Sequence, residues 1–377
     1  MKPAFNRLSR LSQITLAAAA LTTGIAFASP VAWTGTGTDA LWSTDGNWSP
    51  SGVPTGADDV TVGPTYTSGL TITVGGTAGT PTQINSLAFD TGTSGGNKFL
   101  ASGYLQINTG NVTTAGNQAG WLDTTSIDIP ATGSGVNNWI VGAGSTLRVR
   151  GNIAVIGGSG TPTITATGAT GSLNLDKTPQ SYAGNWDIST QSLTVKSFGS
   201  GAVKVSNVKW YTSAATSNTY SNDFTFGGFA RMQAGATQTL TFDGVWTGTA
   251  SDILFNTDGG GTSTGATIKL AGTPTSFTAN TFQVIGTLQL DTAGYLTGVG
   301  AVALNRGNIL TYGIVNWNAA DTVPATTTFN NTQASTAAQL GMLATGTTTI
   351  NGLYKLNSSA TVTDGSDLTI NTAVSGA

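Results

Sequence analysis

The feature that most constrains this chain is a run of short alternating strands in residues 267–313. They read TIKL, FQVIG, TLQLD, AVALN and NILTY, with Gly, Thr, Asn and Pro between them. Ile268, Leu288 and Ile309 open equivalent x-apolar-x-apolar units at almost equal spacing. One strand cluster per coil at such a period is the pattern of a β-solenoid, in which each coil buries its inward side chains only by stacking on its neighbours. A β-sandwich array is the competing architecture. It predicts strands every ~8–12 residues joined by Asn-Gly hairpins, whereas the turns here are longer and rich in Thr.

Composition supports an all-β chain. There are 68 Thr and 52 Gly, all 17 acids are Asp, and Glu, His and Cys are absent. Good helix formers have given way to strand and turn formers. Without Cys there are no disulfide staples, so stability has to come from long-range stacking. The low charge and acidic balance argue against nucleic acid as a partner.

Residues 1–28 read as an export signal. Lys2, Arg7 and Arg10 form a positive start, residues 14–27 an apolar segment, and Ala26-Phe27-Ala28 a small-x-small cleavage site. The apolar part is too short for a stable membrane span, and no second apolar run of spanning length follows. Cleavage behind Ala28 leaves 11 basic and 17 acidic residues, a net charge of −6.

Residues 32–62, AWTGTGTDALWSTDGNWSPSGVPTGADDVTV, carry the most specific local signal. Trp33, Trp42 and Trp48 precede Val53-Pro54, and Asp58-Asp59 then leads into a strand at 60–62. An uncovered solenoid end exposes unpaired backbone groups and apolar side chains, so an atypical terminal unit is expected. These residues (Trp33, Trp42, Trp48, Pro54, Asp58, Asp59) are the candidate structural cap; a sugar-stacking platform is the alternative use of the rings.

The W-x8-W-x5-W…VP…ADDV segment resembles the opening of autotransporter-like passengers of Gram-negative bacteria, and TLQL, SLNL and TIKL resemble autotransporter-associated β-strand repeats. The resemblance implies a right-handed parallel β-helix with an N-terminal Trp-rich cap, displayed at the cell surface or released from it. The family's C-terminal membrane barrel has no counterpart in DLTINTAVSGA (367–377). A missing translocator or anchor, or a different attachment, is therefore expected. The domain reading is 1–28 signal peptide, 29–63 cap segment and 64–377 solenoid repeats, truncated at the C-terminal end.

Earlier strands are expected at 70–74, 84–89, 104–107 and 147–156, the last broken at Gly151-Asn152, and then at 172–175, 193–195, 203–208 and 240–242. The irregular stretches 109–127, 211–224 and 316–340 read as lateral loops or ragged coils. Asn108, Asn111, Asn152 and Asn174 are either side-chain ladders or ordinary turn residues.

The chemistry available is narrow. Without His or Cys there is no Ser-His-Asp or Cys-His site and no zinc site of the usual type. Asp58-Asp59 is the one adjacent acid pair, and neighbours on a strand point to opposite faces. Asp123 with Asp128, or Asp252 with Asp258, is the pair to consider for a glycosidase, which needs two carboxylates about 5–9 Å apart. A β-helix polysaccharide lyase would want acids holding calcium beside a basic residue; Arg148 and Arg150 share a strand face but have no acid cluster near them in sequence, and they read as solvated. Asp258-Gly-Gly-Gly-Thr lacks the repetition of a calcium-binding array. Trp139, Trp186 and Trp317, each after Asn, are expected to plug their coils, the alternative being an exposed stripe for glycan contact.

No catalytic, cofactor or metal residue is nominated. The reading is a non-enzymatic exported scaffold or adhesin, whose partners are surface glycans or copies of itself. A carbohydrate-active β-helix, a hydrolase, lyase or glycan-binding module using Asp or Trp in a lateral groove, is the alternative.

Overall fold

The computed structural model describes residues 28–63, 70–90, 97–116, 119–131, 136–177, 180–211, 217–256, 265–304, 313–324 and 326–331, together with six short strands between Gln339 and Gly376. Residues 1–27 of the expected export signal, and NILTY, therefore lie outside the described residues. The chain is a β-solenoid. Its strands pair in parallel with the coil before and the coil after, and the exception is the two-residue strand Trp48–Ser49, which runs antiparallel to Ser29–Trp33. That parallel pairing excludes the sandwich array. No helix among the described residues is long and apolar enough to cross a membrane, which says nothing of crossing by strands.

A full coil visits three faces. Face one begins with Ser29–Trp33, Asp58–Val62, Ser86–Phe89, Val112–Thr114 and Val136–Val141. The segment 29–63 thus contributes two rungs of the stack itself. Face two runs from Thr71–Thr73 through Asn97–Ala101, Ala119–Asp123 and Thr146–Val149, and parallel pairings continue it to Ser375–Gly376. At Thr163–Leu175, Asn185–Val195, Phe224–Gln233, Trp246–Phe255 and Pro274–Val284 a single long strand bends across both faces, with register shifts at several of the bends.

Face three is interrupted. One ladder holds Thr82–Ile84, Tyr104–Ile107, Ser126–Pro130 and Asn152–Ile156; a second starts at Asn218–Tyr220 and passes through Thr267–Leu270 and Gly286–Leu290. Between them the described chain crosses without strands. There Gln180 takes over the ladder's hydrogen bonds, its Oε1 accepting from Ile153 N at 2.5 Å. Tyr182 and Phe198 fill the space inside.

Coil length varies with these crossings. Along face one Val60 stacks under Leu87, Ile188 under Val205 and Gly248 under Phe277, so the step between rungs contracts in the middle of the stack and lengthens again beyond it. The step from Ile268 to Leu288 is present, but Leu288 pairs next with Val315 rather than with the expected Ile309, which is outside the described residues. Two stretches expected to be loops contain strands: Val112–Thr114 and Ala119–Asp123 in 109–127, and Asn218–Tyr220 in 211–224. The stretch 316–340 contains Thr322–Val323 and Thr328–Asn331. Most of these strands are short, and Ala119–Asp123 places glycine inward, so none displays a run of inward apolar side chains. A Cβ on Gly120 would stand 2.4 Å from the Phe89 ring, which occupies the interior there.

The asparagines do not form a ladder; three of the four bond between rungs. Asn108 donates to Gly56 O at 2.7 Å, Asn111 accepts from Asn138 N at 2.9 Å, and Asn152 accepts from Ser181 N at 3.0 Å.

An aromatic column runs up the interior. Trp139, Trp186, Phe198, Trp210, Phe242, Trp246 and Tyr295 follow one another with ring centroids 5.1–6.2 Å apart, each pair edge-to-face. Edge-to-face contact suits the ring quadrupoles and adds to the burial of large apolar areas. Trp139, Trp186 and Trp317 are buried, as expected of plugs. Phe198 sits at the interruption of face three, in ring contact with Trp186, Trp210, Tyr220 and Phe224. Phe198→Ala is expected to cost about 3–5 kcal/mol, the range for emptying a packed aromatic site. The check is a lowered urea midpoint; a drop at the low end of the range would mean that the site collapses around the missing ring, and an unchanged midpoint would argue against Phe198 as a packed core ring.

Candidate functional site

The nominated cap residues gather at one end of the described stack. Trp33, Trp42 and Trp48 are all buried, with Trp48 edge-on to both others at centroid distances of 5.0 and 4.6 Å. The Trp48 indole N–H donates to Trp42 O at 2.7 Å. Buried rings are not available as a sugar platform. Trp48–Ser49 lies along the outer edge of Ser29–Trp33, opposite the edge that Asp58–Val62 occupies. Pro54 is buried.

The loop between these tryptophans is held by Asn47, which is fully buried. Its Oδ1 accepts from Gly37 N at 2.9 Å, and its Nδ2 reaches Asp39 O and Leu41 O, both at 3.0 Å, and Asp39 Oδ1 at 3.2 Å. Hydrogen bonds from Leu41 N–H and the Thr44 hydroxyl hold the Asp39 carboxyl below its ordinary pKa. The sequence did not single out Asn47, although it stands immediately before Trp48.

Among the described residues, neither Asp58 with Asp59 nor Asp123 with Asp128 converges. Asp58 folds back on its own turn, its Oδ2 accepting from Thr55 N at 2.7 Å and Thr55 Oγ1 at 2.8 Å. Asp59 reaches the next rung, where its Oδ1 accepts from Asn85 Nδ2 at 2.7 Å and Ser86 Oγ at 2.5 Å. Asp123 is on face two, whereas Asp128 is buried on face three and accepts from Ser126 Oγ at 2.5 Å. The two carboxylates do not share a face. Asp252 is on face two, and Asp258 with its glycine run lies outside the described residues.

Two buried charges escaped the sequence reading. Lys98 pairs in register with inward-facing Gly120, and its Nζ donates to Val62 O at 3.1 Å and to Asp90 O. Burial pulls its pKa down, opposed by the charge of Asp90. Asp321 Oδ1 accepts from Thr322 N at 2.8 Å and Gly294 N at 3.1 Å, while burial pushes its pKa up.

Two features of the lateral surface remain. On face one a shallow depression of about 250 Å³ is lined by Ser86, Leu87, Asn111, Thr113, Asn138 and Ile140. On face two, Phe99, Trp121, Arg148 and Asn174 share one outward column on successive rungs. The Phe99 and Trp121 rings meet at 4.6 Å, and the guanidinium carbons of Arg148 and Arg150 lie 4.4 and 4.8 Å from the Trp121 ring centroid. Arg148 pairs with Asp176, and Arg150 with Asp123 at 3.4 Å. The expectation that both arginines simply face solvent is thus corrected: coiling brings each of them an acid that lies a whole coil away in sequence.

Comparison with known protein families, curated proteins and solved structures finds no match.

Asn47→Ala, which removes four hydrogen bonds from a buried amide, is expected to destabilise the tryptophan loop by about 2–4 kcal/mol. The readout is earlier amide exchange in residues 34–48 than in face two, and uniform loosening of the whole chain would argue against a local role. A carboxyl whose pKa is raised on folding is more protonated in the native than in the unfolded state, so stability falls as pH rises through the native pKa. The stability of Asp321→Asn relative to the native chain should therefore grow as pH increases from about 4, and a difference independent of pH would remove Asp321 from the pH response.

Proposed function

We propose that this chain is an exported structural and adhesive β-helix, a rigid scaffold of the autotransporter-passenger type that is displayed at the cell surface or secreted. The observation that carries the scaffold part is the unbroken parallel ladder of face two, from Thr71–Thr73 to Ser375–Gly376. With one rung every ~4.8 Å, such a ladder makes a rod roughly 60 Å long. Its outward side chains repeat at rung spacing, which suits weak contacts summed along the length. The export part rests on the basic-apolar-small pattern of residues 1–28, and the first strand among the described residues begins at Ser29, directly after the small-x-small site. Surface glycans and further copies of the chain are the partners proposed. The placement of Asp123 and Asp128 on different faces favours this over a hydrolase or lyase that uses that pair.

The buried Trp33, Trp42 and Trp48 with the antiparallel Trp48–Ser49 support a capping role. A short strand lying across an otherwise open edge removes a template for unwanted pairing.

The test is expression of the whole chain in a Gram-negative host, with intact mass measured on cytoplasmic, outer-membrane and medium fractions. The expected product is a chain starting at Ser29 in the outer-membrane or medium fraction, protease-accessible on intact cells when cell-bound. A folded chain that keeps residues 1–28 and stays in the cytoplasm would overturn the export reading.

A further inference from the structure

We infer that the outward cluster of Phe99, Trp121, Arg148, Arg150, Asp123 and Asp176 on face two is a binding site for a neutral, hydroxyl-rich polysaccharide. The inference rests on the proposed glycan partnership, for which it names a site; the scaffold and export parts do not depend on it, since a rod that binds no glycan is still a scaffold.

The first argument is selective exposure. The chain has nine Trp, and eight are buried in the interior or in the tryptophan loop. Trp121 alone is turned outward and left half-exposed, with the outward Phe99 one rung below it. The inward position that a large side chain would ordinarily fill on this strand is Gly120, because Phe89 already occupies the space. Packing therefore accounts for the small residue inside but does not call for an indole outside.

The second argument is pre-organisation. Arg148 and Arg150 both lie against the indole, and each is anchored by an acid from an adjoining coil. Cation–π contact and ion pairing together fix guanidinium groups that would otherwise be mobile. Arg148 uses Nε on Asp176 and Arg150 uses Nη1 on Asp123. A guanidinium has five N–H donors, so both keep donors to spare. The Asp123 and Arg150 side chains are each 40% exposed, so acceptors and donors are open to solvent side by side.

The third argument is charge. Two arginines and two aspartates cancel locally, and the chain as a whole is acidic, with a net charge of −3. A polyanion would gain nothing from the cluster and would be repelled by the rest of the surface. A neutral sugar fits better. Its C–H groups meet the exposed part of the Phe99–Trp121 pair that the guanidinium groups leave uncovered, while neighbouring hydroxyls accept from guanidinium and donate to carboxylate. The outward column climbs by one rung per side chain, which suits an extended polymer more than a single sugar.

Native-gel retardation tests this with hydroxyethyl cellulose, galactomannan and yeast mannan as neutral polymers and polygalacturonate as the anionic one. The expected result is retardation by at least one neutral polymer. Trp121→Ala should weaken it about tenfold, equivalent to the loss of one good aromatic contact. Arg150→Gln, at an exposed position, should weaken it less. Ile140→Ser, in the face-one depression, should leave it unchanged. Near-UV circular dichroism verifies that each variant keeps the native interior. Retardation by none of the neutral polymers, by polygalacturonate alone, or equally in the native chain and in a folded Trp121→Ala would overturn the inference. Should Trp121→Ala fail to fold, Arg150→Gln decides: weakened retardation supports the site, and unchanged retardation overturns it.

Discussion

Each coil of this chain is insufficient by itself. Its inward side chains are covered by the coils above and below, and its backbone N–H and C=O groups find their partners there too. Parallel register between successive coils is thus the constraint from which the rest follows. It sets which side chains share an interior level, and it sets which outward side chains meet. Trp121 and Arg148 touch because Ala119–Asp123 and Thr146–Val149 are paired residue for residue. A slip of one position would turn every side chain of a strand to the opposite side.

The interior is filled to suit coils of unequal length. Where the step contracts, between Ile188 and Val205, the chain has no strand for face three among the described residues. Tyr182, Phe198 and the tryptophans around them fill the space that remains. Buried polar groups complete the closure with bonds to backbone. Tyr182 donates to Pro162 O at 2.8 Å, Trp186 to Phe198 O at 2.9 Å, and Tyr220 to Val195 O at 2.7 Å. These three large rings therefore stand inside with their single donors paired.

Much of this was legible in the sequence wherever a strand alternates with its apolar residues inward. TIKL and TLQL pair in register as their pattern suggests, and LRVRGNIAVI divides into two strands as expected, the break falling at Arg150-Gly151 with Asn152 already opening the second strand. Legibility failed where a coil inverts the pattern. Ala119–Asp123 turns glycine in and tryptophan out, and Asn97–Ala101 buries a lysine beside outward Phe99, so neither looks like a solenoid strand. Register between coils of unequal length was equally hidden, because Leu288 finds Val315 only after an insertion whose size no periodicity announces. For the same reason the ion pairs of Arg148 and Arg150 were invisible, since each joins residues one whole coil apart. The tryptophan loop was legible as a unit, but not the amide of Asn47 that holds it.

The break in face three has a mechanical consequence. Faces one and two carry backbone hydrogen bonds through the level of residues 163–205, whereas face three is spanned there by side chains and turns. A load along the long axis is therefore borne by two sides of the wall and relieved on the third. Bending stiffness is unequal around the circumference at this level, and deflection there opens or closes the side between Asn152–Ile156 and Asn218–Tyr220. A filament of this kind yields in a chosen direction and at a chosen height, as a notched beam does.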